Sequence, residues 1–153
     1  MPASRLKIPP VVTGLILGGL MWATTRAAPD FGFTLPARRI GALTLALAGV
    51  GIALLGVISF RRARTTVNPL HPETASTLVV AGVYRLTRNP MYLGLLLLLL
   101  GWAVFLANAL AFVFPAIYVP LMNRLQIRPE EQALEEKFGA GFADYKSKVR
   151  RWL

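Results

Sequence analysis

Long stretches without a charged side chain set the frame for this 153-residue chain. Residues 8–25 lie between Lys7 and Arg26, and residues 40–60 between Arg39 and Arg61. Residues 89–123 carry no charge at all. At about 1.5 Å of rise per residue, the 40–60 run can cross a hydrocarbon core of about 30 Å as one helix. The 89–123 run is too long for one upright helix and too short for two generous ones. Asn108 is its natural break. The pattern predicts a tight hairpin of helices over 90–106 and 109–122, the second bent by Pro115 and Pro120. The expected fold is an all-α integral membrane protein with four transmembrane helices (about 8–25, 40–60, 90–106 and 109–122).

Composition agrees with that frame. Only 16% of the residues are charged and 55% are apolar, whereas a soluble domain is nearer ~25% charged. Neither a water-dressed globule nor a disordered chain fits such numbers. Residues 8–25 also resemble the core of a signal peptide, with Arg5 and Lys7 before them. Arg26 stands where a small-residue cleavage site belongs, so a retained membrane helix is the expectation. At this length one membrane-embedded domain over 1–153 is expected.

The net charge of +10 is not scattered. Four spans with both ends on one side place fourteen of the seventeen basic residues on that side, and leave Arg26, Arg38 and Arg39 on the other. The termini and the loop over 61–88 are therefore expected in the cytoplasm. Contact with anionic lipid accounts for the excess charge, and no nucleic-acid partner is expected. Gly14, Gly18, Gly41, Gly49, Gly51 and Gly56 predict close helix–helix approach within the first two spans and would permit a homodimer.

The chain has no cysteine, and His71 is its single histidine. Thiolate chemistry and multi-histidine or cysteine metal sites are thereby excluded, and no metal is expected. Chemistry is left to carboxylates, Tyr, Arg, amides or an organic cofactor. Two regions offer such groups. The loop over 61–89 is longer than ordinary connections and ends in Gly82-Val83-Tyr84-Arg85-Leu86-Thr87-Arg88-Asn89-Pro90-Met91-Tyr92-Leu93-Gly94. Helix chemistry alone reads its end as a span entry, with Asn89 as N-cap, Pro90 as first helical residue and Arg88 as an interface anchor. The second region begins at Pro129. It predicts a helix over 129–138 closed by Gly139, then an interfacial helix over 141–152 with Phe142, Tyr145, Val149 and Trp152 on its apolar face. Glu130 and Glu131 suit a helix start. Glu131 also shares a face with Leu134 and Phe138, and a carboxylate at an apolar boundary needs a partner, either an arginine or a cationic ligand.

The stretch Gly82-Val83-Tyr84 followed by Arg88 to Gly94 resembles the signature of the isoprenylcysteine carboxyl methyltransferase family, relatives of the membrane phospholipid N-methyltransferases. Arg128-Pro129-Glu130-Glu131, with Leu134, Phe138-Gly139 and Tyr145, is similar to the family's second block. The two cover roughly residues 65–150. The resemblance implies a membrane methyltransferase that uses S-adenosyl-L-methionine without a Rossmann domain, in a cytoplasmic pocket built from the long loop, the hairpin entry and the later helices. It implies cofactor contacts from Ser76, Thr77, Leu78, Val79, Tyr84, Arg88, Asn89, Pro90, Met91 and Tyr92. Glu130 matches the acid that holds the cofactor's amino-acid part, with Glu131 as the one-residue alternative. The chain departs from the family at Asn89, where many members have His, and at Ser76, where eukaryotic members do. The family's substrate-orienting arginine falls on Gln126, flanked by Arg124 and Arg128.

The expected activity is methyl transfer to a lipidic or amphiphilic acceptor that enters from the bilayer. A carboxylate or thiolate acceptor needs no general base. An amine must lose a proton, to Glu131, Tyr92 or His71. Glu131 and Arg128 are thus the expected groups at the chemical step, the first for a proton, the second for substrate orientation. Two rivals remain at this level: a membrane reductase with a nicotinamide cofactor, and a small transporter or scaffold. The latter predicts ionisable groups at mid-span depth, and the spans contain none.

Overall fold

The computed structural model describes residues 8–64 and 76–153, and within them the chain is helical. His71, Arg5, Lys7 and the middle of the 61–89 loop lie outside the described residues. Helix α1 spans Pro10–Ala27, α2 Arg38–Arg62, α3 Pro90–Leu106 and α4 Val113–Met122. A π-helical turn, Asn123–Ile127, joins α4 to α5, Arg128–Phe138. Helix α6, Ala140–Lys148, follows.

By length and composition, two helices can cross a membrane: Arg38–Arg62 and the continuous helix Ala109–Phe138. Pro90–Leu106 is apolar but shorter. Side-chain placement inverts the soluble pattern. Leu15, Ile16, Leu20, Ile40, Leu43, Leu47, Leu54 and Leu55 face outward, while Ala42, Gly49 and Gly56 are the buried residues of α2. Large apolar groups outside and small ones inside is what helices do when their surroundings are as apolar as their side chains.

Those three small residues, seven apart, dock antiparallel on α3. A Cβ built at Gly49 would meet the Gly94 carbonyl oxygen at 2.6 Å, and one at Gly101 the Ala42 carbonyl oxygen at 2.9 Å. At Gly56 it would meet the Pro90 ring at 3.0 Å. Of the glycines singled out by sequence, Gly49 and Gly56 are therefore at a close contact. Gly18 and Gly51 have nothing within 4 Å. The partners Gly94 and Gly101 come from α3. Gly49→Ala should cost about 2 kcal/mol or more by overpacking against backbone. Gly51→Ala should be neutral or stabilising by up to about 1 kcal/mol through helix propensity. Thermal unfolding of both variants in detergent checks the pair.

The hairpin break falls where the sequence puts it. Helix α3 stops at Leu106, Ala107 adopts a left-handed conformation (φ 49°), and Asn108 turns the chain. Its side-chain oxygen accepts from the Leu110 N–H at 3.0 Å, and its amide donates to the Ala28 carbonyl at 2.9 Å. Gly139, at φ +49°, closes α5 as expected.

The last helix differs from expectation. It ends at Lys148 rather than near 152, with Val149 extended. Phe142 and Tyr145 are buried against Val79 and Tyr84, with Leu134 and Phe138 packed alongside. The apolar face read as lipid-facing is covered by protein instead, because α5 and the 78–85 segment offer it a matching apolar surface.

Candidate active site

The chain entering α3 is built to be held, not merely capped. Gly82, at φ +64°, opens a short 3-10 turn, Gly82–Arg85, that buries Tyr84. The Tyr84 ring meets Phe60 edge-on at 5.3 Å, and its carbonyl accepts from the Tyr145 hydroxyl at 2.7 Å. Burial pushes the Tyr84 and Tyr145 hydroxyls well above the usual phenol value, so neither takes up a proton-accepting role near neutral pH. Asn89 occupies the N-cap position of α3 but makes no side-chain cap. Its amide donates instead to the Arg151 carbonyl at 2.9 Å.

That bond belongs to a strap. Beyond α6 the chain turns back over the entry of α3. The Arg88 N–H donates to the Arg150 carbonyl at 3.0 Å, and the Thr87 hydroxyl to the Arg151 carbonyl at 3.2 Å. The Trp152 indole N–H donates to Asn123 Oδ1 at 3.1 Å, and its ring meets Tyr118 edge-on. Loop, π-turn and strap are thereby tied together.

At the centre of this knot is Glu131. Arg151 grips it in bidentate fashion, Nε to Oε1 at 3.0 Å and Nη2 to Oε2 at 2.5 Å. Arg88 Nη1 lies 3.1 Å from Glu131 Oε1, with both side chains about nine-tenths buried (11% and 12% exposed). The hydrogen bond to Glu131 holds the Arg151 guanidinium's pKa above its ordinary value. One residue earlier, Glu130 accepts a hydrogen bond from the Tyr92 hydroxyl, and the Tyr92 carbonyl in turn accepts from the Tyr118 hydroxyl at 3.3 Å. Two carboxylates adjacent in sequence thus have separate partners: a tyrosine for Glu130, two guanidiniums for Glu131.

Arg88 is not fully used by this arrangement. Its Nη1 is taken up by the Glu131 ion pair, while its Nε is buried without a hydrogen bond among the described residues. An orphaned donor on a buried cation is costly, and a ligand anion is the natural acceptor. Glu130, which precedes the Glu131 partner of Arg88 in the chain, carries the charge that suits an ammonium. A guanidinium donor and a carboxylate are the two groups that an α-amino-acid zwitterion requires. The amino-acid end of S-adenosyl-L-methionine has that chemistry, so the residues present fit it.

Of the sequence-derived candidates, Arg88, Asn89, Tyr92, Glu130 and Glu131 come together here. Tyr84 and Val79 are core residues of the neighbouring cluster, and Leu78 packs against it. Pro90 and Met91 turn toward Gly56 of α2. Ser76 and Thr77 are exposed. Arg128 is exposed on the first turn of α5, apart from the ion-paired knot. Gln126, at the family's arginine position, is buried and donates to the Ile8 carbonyl at 2.6 Å, pinning the start of α1. Sequence reasoning missed Thr87, Asn123, Arg151 and Trp152. The one available signal was that Arg151 and Trp152 follow the last turn of an amphipathic helix, where a basic run reads equally well as lipid contact.

Comparison with known proteins follows the same lines. The family model described as phospholipid methyltransferase matches residues 37–141. A probable protein-S-isoprenylcysteine O-methyltransferase of Oryza sativa subsp. indica is 33% identical over 111 residues, 72% of this chain and 58% of that protein. The protein-S-isoprenylcysteine O-methyltransferase of Saccharomyces cerevisiae is 36% identical over 77 residues, 50% of this chain and 32% of its own length. An uncharacterized protein of Haemophilus influenzae is 51% identical over 63 residues, 41% of this chain and all of that protein. The chain thus spans little more than half the length of the plant methyltransferase it matches. No solved structure matches it. The matched region takes in α2, α3, the hairpin and the acidic pair, more than half of the sequence, and on that basis the chain belongs to the phospholipid methyltransferase family, in company with the isoprenylcysteine O-methyltransferases.

Proposed function

We propose that the chain is an integral membrane methyltransferase of four spans, α1 to α4, that transfers a methyl group from S-adenosyl-L-methionine to a lipidic acceptor at the cytoplasmic face. Both ends of the chain would lie on that face, where fourteen of seventeen basic residues gather. The observation that carries the reading is the pairing of Tyr92 with Glu130, one residue before the Glu131 that holds the buried Arg88 guanidinium.

Bound there, S-adenosyl-L-methionine supplies a methyl group on a sulfonium, an electrophile for in-line displacement. The protein's part is placement. Glu130, oriented by the Tyr92 hydroxyl, holds the ammonium; Arg88 donates to the carboxylate. Glu131 is taken up by Arg88 and Arg151 and shapes the site rather than moving a proton. Among the described residues, every carboxylate at the site has a partner, and the buried tyrosine hydroxyls outside the spans are poor acceptors. That favours an acceptor arriving already as an anion. A carboxylate fits this best, the class of group that the names of the plant and yeast relatives point to. An exposed Arg128 or Arg124 at the membrane boundary is available to attract it.

The test is transfer of labelled methyl from S-adenosyl-L-methionine to farnesylcysteine and to fractionated membrane lipids. Label released as methanol by mild alkali marks a carboxyl ester; alkali-stable label marks an amine or thioether. Ester formation is expected. Label that stays alkali-stable overturns the carboxylate assignment. Absence of both transfer and calorimetric binding of the cofactor overturns the methyltransferase reading.

A further inference from the structure

The opposite end of the bundle carries a second cleft, of about 440 Å³, lined among others by Trp22, Arg26, Arg38, Trp102, Phe105 and Asn108. Its lining residues on α3, Trp102 to Leu106, lie ten to fourteen residues beyond the Tyr92 that meets Glu130, about 15–21 Å along the helix. The cleft has no share in the site described above.

Its floor is fixed. The Trp102 indole N–H donates to the Gly18 carbonyl at 3.1 Å, and the Trp102 ring stacks on Phe105 at 5.4 Å. Asn108, buried, ties the hairpin to the end of α1. The Phe33 N–H donates to the Ala107 carbonyl at 2.9 Å and closes the connection between α1 and α2 against the same hairpin. Three helices and two turns thus converge on a cleft that does not depend on any one flexible side chain.

Its rim is net cationic, two arginines against Asp30 in the turn between the lining residues Pro29 and Gly32. Arg26 comes from the last turn of α1 and Arg38 from the first of α2. Arg26 stacks over Trp22, 5.4 Å from the ring centre. Among the described residues neither arginine has an ion pair, and Asp30 is the one acid between residues 8 and 64. Trp22, Phe31, Phe33 and Phe105 expose apolar surface around the rim, and the outward leucines of α1 and α2 continue it toward mid-bundle. Scattered interfacial anchors would account for arginines and tryptophans at a boundary. They do not account for two guanidiniums from separate helices facing one cleft with an aromatic floor.

We propose that this cleft binds the headgroup of an anionic phospholipid in the leaflet opposite the methyl-transfer site. The phosphate sits between Arg26 and Arg38, the ester region lies over Trp102 and Phe105, and the acyl chains run down the apolar outer face. Positive charge, aromatic ring and apolar wall occur in the order in which a lipid presents phosphate, ester and chain.

The neighbouring Arg39 supplies the control, since it is exposed and does not line the cleft. The protein in neutral detergent is titrated with phosphatidylglycerol, phosphatidylcholine or inorganic phosphate, and thermal stability and lipid retention by native mass spectrometry are read. Phosphatidylglycerol should bind and raise Tm. The Arg26→Ala/Arg38→Ala protein should bind it about tenfold or more weakly, with its lipid-free Tm unchanged. Arg38→Ala should lose more than Arg39→Ala. Equal losses at Arg38 and Arg39 overturn the proposal, as does equal stabilisation by phosphatidylcholine or by inorganic phosphate. A lipid-free Tm that drops in the double variant is resolved by Arg26→Lys/Arg38→Lys, which should fold and retain most of the binding; its failure to bind also overturns the proposal. None of these readouts depends on methyl transfer.

Discussion

Replacing Glu130 by glutamine is expected to weaken S-adenosyl-L-methionine binding by about two orders of magnitude while the protein stays folded. The argument is electrostatic. The Glu130 carboxylate accepts from the Tyr92 hydroxyl, and in the proposed site it is the group that faces the ligand's ammonium. Removing one side of a charge-assisted pair in a sheltered site costs about 2–4 kcal/mol, and each 1.4 kcal/mol is about tenfold in Kd. Tyr92→Phe keeps the charge and removes only the orienting hydroxyl, so it should cost nearer tenfold. Arg88→Met should also weaken binding, through the ligand's other end. Isothermal titration in detergent reads all three. Affinities within threefold of the parent in Glu130→Gln would show that the ammonium is held elsewhere.

The second large effect is on stability. Glu131→Ala should destabilise the protein by about 3–5 kcal/mol, because it leaves the buried Arg88 guanidinium facing no carboxylate. For a domain of this size that is a fall of roughly 10 °C in Tm. Arg151→Ala should cost far less, about 1 kcal/mol, since its side chain is 29% exposed and water replaces part of what is lost. Exchanging both members, as Glu131→Leu with Arg88→Met, should recover much of the loss in Tm, because an apolar pair leaves no stranded charge. The same double variant should not recover cofactor affinity, since Arg88 is gone. Thermal unfolding of the single and double variants separates the two roles. Recovery of neither, or a Glu131→Ala protein as stable as the parent, would remove the ion-paired knot from its place in the fold.

The parts of this architecture legible in the sequence are those set locally. Charge-free runs, the Asn108 break and the Gly139 stop depend on residues within a turn or two of one another, and pattern reading reaches that far. The two matching motif blocks also brought Tyr92 and Glu130 to one site, although nothing in their spacing placed a hydroxyl on a carboxylate. What was not legible is long-range. Asn89 and Thr87 find their partners at Arg151, more than sixty residues on, and a basic run after an amphipathic helix carries no mark of burial. The close contact of α2 and α3 was half visible. Gly49 and Gly56 stood out, but Gly94 and Gly101 sit within a leucine-rich run that reads simply as apolar. The face of Phe142 and Tyr145 was correctly apolar and wrongly assigned to lipid, since periodicity shows that a face is buried and not what buries it.

The π-turn between α4 and α5 has a consequence for how such a site can be altered. It accommodates one residue more than an α-helical turn, and one residue in a helix is about 100° of rotation. The angular phase of Glu130 and Glu131 relative to α4 is therefore set by a count of residues between Met122 and Arg128. Excision of one of them, such as the outward-facing Leu125, would let an α-helical turn cover nearly the same angle, whereas rewinding the undeleted stretch as α-helix would swing both acids away from their partners at once, with every side chain of the site still present.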